Sequence, residues 1–178
     1  MKNKICPLCG QQFSNHSCKN KDHLMPRTVA LWSKELLTKK EYSALRQYIN
    51  SKYNIYWVHE HCNYHKQSVL LTLSQVRKLS YPKEALPRIN KMFISLNSQL
   101  NKYRSKIKQI KKNQKHRCYS CRRKINNHFV IRRINSKKNR TWDNACLVCN
   151  RCNSRYKDFA FVKKIKNHTL SSAWSKFN

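Results

Sequence analysis

Eight residues of this chain form two sets of metal ligands. Cys6-Pro-Leu-Cys9 and the distant His59-Glu-His-Cys62 make one set; Cys118-Tyr-Ser-Cys121 and Cys149-Asn-Arg-Cys152 make the other. Four soft N/S donors with no open position suit a closed tetrahedral structural zinc ion, so two Zn²⁺ per chain are expected. His61 offers an alternative to His59, and Cys146-x-x-Cys149 offers a competing register in the second set. Cys18 and Cys146 are left as spare thiols, expected to pack as small apolar groups. An odd total of nine cysteines, paired at two-residue gaps with His nearby, fits metal in a reducing intracellular compartment better than a disulfide framework.

Composition narrows the partners. Lys and Arg number 39 against 7 acidic residues in 178, a net charge of +32. So large a charge repels itself in a compact protein, and a polyanion would relieve the repulsion. No apolar run approaches the ~20 residues of a spanning helix, and the N-terminus lacks the apolar core of a signal peptide. Nucleic acid is therefore expected rather than membrane. A single Gly excludes phosphate-cradling glycine loops. Seven acidic residues also leave little for a nuclease built on a carboxylate cluster holding two metals.

The elements that position these residues are readable in part. Residues 1–27 suit a zinc knuckle and a short hairpin. Residues 29–37 read as a helix, and Thr38-Lys-Lys-Glu41 has capping-box spacing for a second helix through Ile49. Residues 54–58 are a β-type run, and a helix is expected from Asn63 to about Leu79. From Pro87 to Gln114, Ile89, Phe93, Leu96, Leu100, Tyr103, Ile107 and Ile110 alternate steps of four and three. This heptad seam predicts one helix of ~26 residues, about 40 Å long, packed on its own domain. Its basic face (Lys106, Lys108, Lys111 and Lys112) is a candidate phosphate contact. The tail from Asp158 holds an expected short helix, with Trp174 and Phe177 docking back.

The two ligand sets belong to a repeat. Asn54 lies five residues before His59, and Asn144 five before Cys149; Val58, Cys62 and Asn63 match Val148, Cys152 and Asn153. Upstream, His23-Leu24 is matched to His128-Phe129, each after a Cys pair. The repeat favours His59 over His61 and Cys149/Cys152 over Cys146.

Asp22-His23-Leu-Met-Pro26, Asn54 and His59-x-x-Cys62-Asn63 together resemble the HNH (ββα-metal, treble-clef zinc) endonuclease motif. The resemblance covers about residues 5–67, interrupted by a helical insertion, and again 117–157. It implies an α+β, zinc-stabilised fold of two tandem modules: residues 1–80 with the insertion at 28–53, a linker helix at 81–115, and a second module at 116–178. It also implies His23 as general base, Asn54 orienting it, and Asp22 with Asn63 holding one Mg²⁺ or similar divalent cation. The second copy departs from the motif. Asn127 stands for the acid, so Asn127, His128, Asn144 and Asn153 read as a degenerate site. Its flank of Arg122, Arg123, Lys124, Arg132, Arg133, Lys137, Lys138 and Arg140 is then read as a phosphate grip.

Two functions follow. One is an endonuclease cutting DNA with the first module and gripping it with the second. The other is a non-catalytic rRNA- or ribosome-binding protein derived from such an enzyme, which the charge density favours.

Overall fold

Both Cys-x-x-Cys pairs fold into the same knuckle in the computed structural model, which describes residues 5–14, 17–126 and 129–154. In the first, the Gly10 N–H donates to the Cys6 carbonyl at 2.8 Å and the Cys6 N–H to Gln11 at 2.9 Å. In the second, the Arg122 N–H donates to Cys118 at 3.0 Å and the Cys118 N–H to Arg123 at 2.7 Å. The turn needs a left-handed residue after the second cysteine, met by Gly10 (φ 74°) and by Arg122 (φ 59°). The single glycine of the chain is therefore spent where a Cβ would also crowd Ser80 Oγ at 2.9 Å.

Each knuckle is followed by a two-stranded antiparallel hairpin and a short helix. Strand β1 (Lys19–His23) pairs with β2 (Ile55–His59), and helix α3 (Glu60–Lys66) follows; β3 (Phe129–Arg133) pairs with β4 (Ala145–Cys149), and α7 (Asn150–Ser154) follows. The insertion in the first hairpin folds as α1 (Arg27–Ser33), a 3-10 turn (Lys34–Leu36) and α2 (Lys39–Asn50). Thr38 caps α2 as its spacing predicts: its hydroxyl accepts from the Glu41 N–H, and Glu41 returns the bond to the Thr38 N–H at 2.9 Å.

Strand register corrects the repeat alignment. Lys19 faces His59 and Phe129 faces Cys149, so Asp22 and His23 are equivalent to Arg132 and Arg133. Hydrogen bonding agrees, because Leu24 N–H donates to the Asn54 carbonyl and Ile134 N–H to the Asn144 carbonyl, each at 2.8 Å. His128 is thus five residues off the position of His23. The error came from matching one His without knowing the loop length. Asn127 and His128 themselves lie outside the described residues.

Two expected helices are each divided. The segment after Asn63 stops at Gln67, whose φ of 44° ends α3, and a capping box of Thr72 and Gln75 starts α4 (Leu73–Arg77). The heptad stretch is α5 (Leu86–Ser95) and α6 (Asn97–Asn113), separated at Leu96, which leaves helical geometry at φ −103°, ψ 10°. Ser95, Asn97 and Ser98 crowd that point, and such residues favour caps over helix interiors. The seam still packs inward: Ile89, Phe93, Leu96, Leu100 and Tyr103 are buried.

The two modules share one apolar cluster, running from Leu8, Leu24 and Val58 through Leu96 and Leu100 to Ile131 and Leu147. Trp142 of the second module packs with its ring centroid 5.7 Å from that of Trp32 of α1, tilted, and 5.8 Å from that of Tyr103 of α6, edge-to-face. At the end of α6 the Gln114 amide takes both main-chain groups of Leu147, accepting from its N–H at 2.8 Å and donating to its carbonyl at 3.0 Å. The helix end thereby completes the edge of β4. Among the described residues no helix is long and apolar enough to cross a membrane. The tail with its expected helix, Trp174 and Phe177 lies outside them.

Candidate metal centres and the Asp22–His23 site

The hairpin and helix of each module bring the second ligand pair against the knuckle. Cys6, Cys9, His59 and Cys62 have their ligand atoms within 4.8 Å of one another, and so do Cys118, Cys121, Cys149 and Cys152. Cys121 Sγ and Cys149 Sγ are 3.7 Å apart. A tetrahedron with Zn–S bonds of about 2.3 Å has edges of about 3.8 Å, so the donor spacing fits zinc. The first cluster faces Cys9 with Nδ1 of His59, at 3.3 Å. In both modules a strand-end N–H points at the first thiol, His59 to Cys6 at 3.4 Å and Cys149 to Cys118 at 3.3 Å. These clusters can hold two structural zinc ions.

The alternatives fall away on position. His61 stacks on the His59 ring at 5.3 Å, outside the cluster. Cys146 is buried in β4, where burial pushes its thiol up to about 11. Cys18, expected to pack as a small apolar group, is instead exposed, and its carbonyl accepts from the Glu60 N–H at 2.9 Å.

Asp22 and His23 end β1, beside α3. The Asp22 carboxylate is 7% exposed, and both of its oxygens are taken by Lys66 of α3, at 2.8 and 3.1 Å. The same ammonium donates to the His23 carbonyl at 2.6 Å, and Lys66 is 0% exposed. Burial pushes the Asp22 carboxyl upward, and Lys66 pulls against it. His23 is half-buried. Burial first, then the charges of Arg27 and Lys66, hold its imidazole below the ordinary range against the opposing pull of Asp22. A neutral ring is the result at neutral pH.

Asn54 is placed differently from its expected role. Its amide is wholly buried and accepts from the Met25 N–H at 2.8 Å while donating to the carbonyls of Met25 and Ile49 at 3.0 and 2.9 Å. It locks the main chain that leaves His23, not the imidazole itself. Asn144 repeats the pattern, accepting from Asn135 and donating to Asn135 and Asn139. A device kept in the module without the Asp–His pair serves the hairpin first.

The second module replaces the pair by arginines. Arg132 donates from two nitrogens to the Asn153 amide oxygen, at 2.8 and 2.6 Å, and Asn153 donates on to Gln67 of the first module at 3.3 Å. Arg133, half-buried, donates to the Lys138 carbonyl at 3.0 Å. With Arg140 these two line a cleft that also takes in Asn63. The other predicted cations do not converge there. Arg122 sits over Tyr119, Lys111 donates to the Asn126 carbonyl at 3.2 Å, and Lys106 meets Gln109. Arg123, Lys124, Lys137, Lys138, Lys108 and Lys112 are exposed.

No family model, curated protein or solved structure matches the chain. Lys66, Gln67 and Gln114 were not singled out in the sequence. Of these, Lys66 had a signal, since it lies one helical turn beyond Cys62 on a ligand-bearing helix.

Proposed function

We propose that the chain is an HNH-type endonuclease, hydrolysing phosphodiester bonds of nucleic acid at the first module while the second module and the basic surface hold the backbone. One observation carries the reading. At equivalent positions of the same hairpin, one module has Asp22-His23 and the other has Arg132-Arg133. The fold is thus built without a carboxylate there. A buried ion pair is expensive to desolvate and weak as a source of stability, so Asp22 with Lys66 needs a reason beyond folding.

His23 supplies the base. A neutral imidazole can take a proton from water as the water attacks phosphorus. Asn54 fixes the loop that begins at Leu24 and so keeps His23 in place. The donors at Asp22 and Asn63 are oxygens, the chemistry a hard divalent cation takes. Such an ion, when bound, supplies positive charge at the phosphate and the leaving oxygen. The Asp22 oxygens already converge on one cation, the Lys66 ammonium, so a divalent ion would enter by exchange with it.

That exchange is also what favours a second reading. If Lys66 stays, the Asp22 carboxylate is closed to a divalent ion, and a net charge of +32 leaves a non-catalytic RNA- or ribosome-binding protein. A plasmid-nicking assay with Mg²⁺ or Mn²⁺, repeated on RNA, decides between them. The parent should cut, while His23→Ala and Asp22→Ala should lose roughly a hundredfold or more in rate. A parent that cuts neither substrate, or variants that cut as fast, would leave the binding protein as the function.

A further inference from the structure

Between the modules lies a cleft of about 440 Å³. One wall is α1 and α3 of the first module, with Leu31, Asn63 and Tyr64; the other is β3 and its loop, with Arg132, Arg133 and Arg140. None of its lining residues is acidic. Asp22 and His23 are not in its wall; Asn63, which the resemblance groups with them, is.

Its size and lining select among nucleic acids. The volume is that of a small-molecule pocket, and a duplex keeps its base faces stacked inside and could offer such a cleft only its backbone and groove edges. An unpaired strand can offer both a phosphate and a base face. Arg132 is held by Asn153 and shapes the wall, whereas Arg140 is exposed and Arg133 half-buried, and both can meet a phosphate. Leu31, 47% exposed, and Tyr64 present apolar surface opposite. That surface would be poorly used by a ligand consisting of phosphates alone.

We propose that this cleft binds unpaired nucleotides of a nucleic-acid strand beside the Asp22–His23 site, with the phosphate on Arg133 and Arg140 and a base against Leu31 and Tyr64. The proposal deepens the nuclease reading by naming an unpaired strand as its substrate class, and in that respect rests on it; binding itself does not require cleavage.

The test is fluorescence anisotropy of the full zinc-loaded chain in buffer freed of Mg²⁺ and Mn²⁺ before the protein is added, with no chelator present, so that nothing is cut and the zinc stays bound. A labelled thymidine homopolymer, its uridine counterpart, and a blunt duplex with the same number of phosphates are compared. Either strand should bind roughly tenfold or more tighter than the duplex, the scale of one stacked base. Arg133→Ala with Arg140→Ala should erase most of that preference. Lys137→Ala with Lys138→Ala removes the same charge from exposed positions and should weaken strand and duplex alike, by about threefold or less. Arg140→Ala and Leu31→Ala, both at exposed positions, carry the test if the double arginine variant loses its zinc. Equal binding of strand and duplex, or equal effects of the two double variants, would overturn the cleft. If binding follows Arg133 and Arg140 while no substrate is ever cut, the cleft stands and the nuclease reading falls.

Discussion

Asp22 and Arg132 stand at the same rung of two equivalent hairpins, and each is held by a residue of the following helix: Asp22 by Lys66, Arg132 by Asn153. The partners are not equivalent: Lys66 follows Cys62 by four residues and answers the carboxylate with a cation, whereas Asn153 directly follows Cys152 and holds the guanidinium with a neutral amide.

Removing one partner of the buried pair should be costly. Lys66→Met leaves the Asp22 carboxylate without its cation and is expected to destabilise the chain by about 3–5 kcal/mol in urea titrations. Adding Asp22→Leu should recover most of the loss. Asn153→Ala in the second module should cost less, about 1.5–3 kcal/mol, because Arg132 is only partly buried. A double variant no more stable than Lys66→Met alone would show that the two residues are not coupled.

The position of His23 sets a pH dependence. Its pKa is held below the ordinary value of about 6.5, so the base should be unprotonated at pH 7 and cleavage should fall only on an acidic limb below about pH 6.5. Arg27→Gln removes a charge that disfavours the imidazolium, so the limb should move to higher pH by a fraction of a unit. A pH–rate profile that does not respond to Arg27→Gln would argue against His23 as the base.

Metal analysis should return two Zn²⁺ per chain. Structural zinc sites contribute about 10 kcal/mol or more of apparent binding energy at neutral pH, so a strong chelator should unfold the protein. Because one apolar cluster spans both modules, Cys149→Ser is expected to lower the stability of the whole chain in a single transition. A zinc count of one would contradict the tandem arrangement, and two separated transitions would contradict the shared core.

Asn54 offers a sharper test of positioning. Asn54→Asp keeps an acceptor for the Met25 N–H but faces the carbonyls of Met25 and Ile49 with oxygen in a buried site. A loss of about 3 kcal/mol is expected, together with a fall in kcat from the displaced loop. Asn144→Asp should lose stability to a similar extent with little effect on kcat. If Asn54 acted only on the imidazole ring, stability would be untouched.

The zinc ligands, the capping box at Thr38 and the inward seam of α5 and α6 were legible because each is a local pattern with a fixed spacing. The partner of Asp22 was not. Lys66 looked like one more solvated cation in a chain of 39 basic residues, and only the packing of α3 on β1 buries it. The equivalence of His23 with Arg133 was hidden for a related reason. Hairpins are aligned by hydrogen-bond register, and a sequence with loops of unequal length does not display its register. The break at Leu96 is legible afterwards in Ser95, Asn97 and Ser98, whose preference for caps the heptad count ignored.

The packing of Trp142 against Trp32 and Tyr103 has a mechanical consequence. A protein that gripped its substrate like a pair of jaws would need a thin, polar, yielding joint between its halves. Here the joint is aromatic and continuous with the core, and Gln114 laces the connecting helix to β4. The gap between the modules is therefore a slot of set width. If a nucleic-acid strand binds there as proposed, it would have to bend or thread to suit the slot, and discrimination would fall on the flexibility of the strand rather than on a closing motion of the protein.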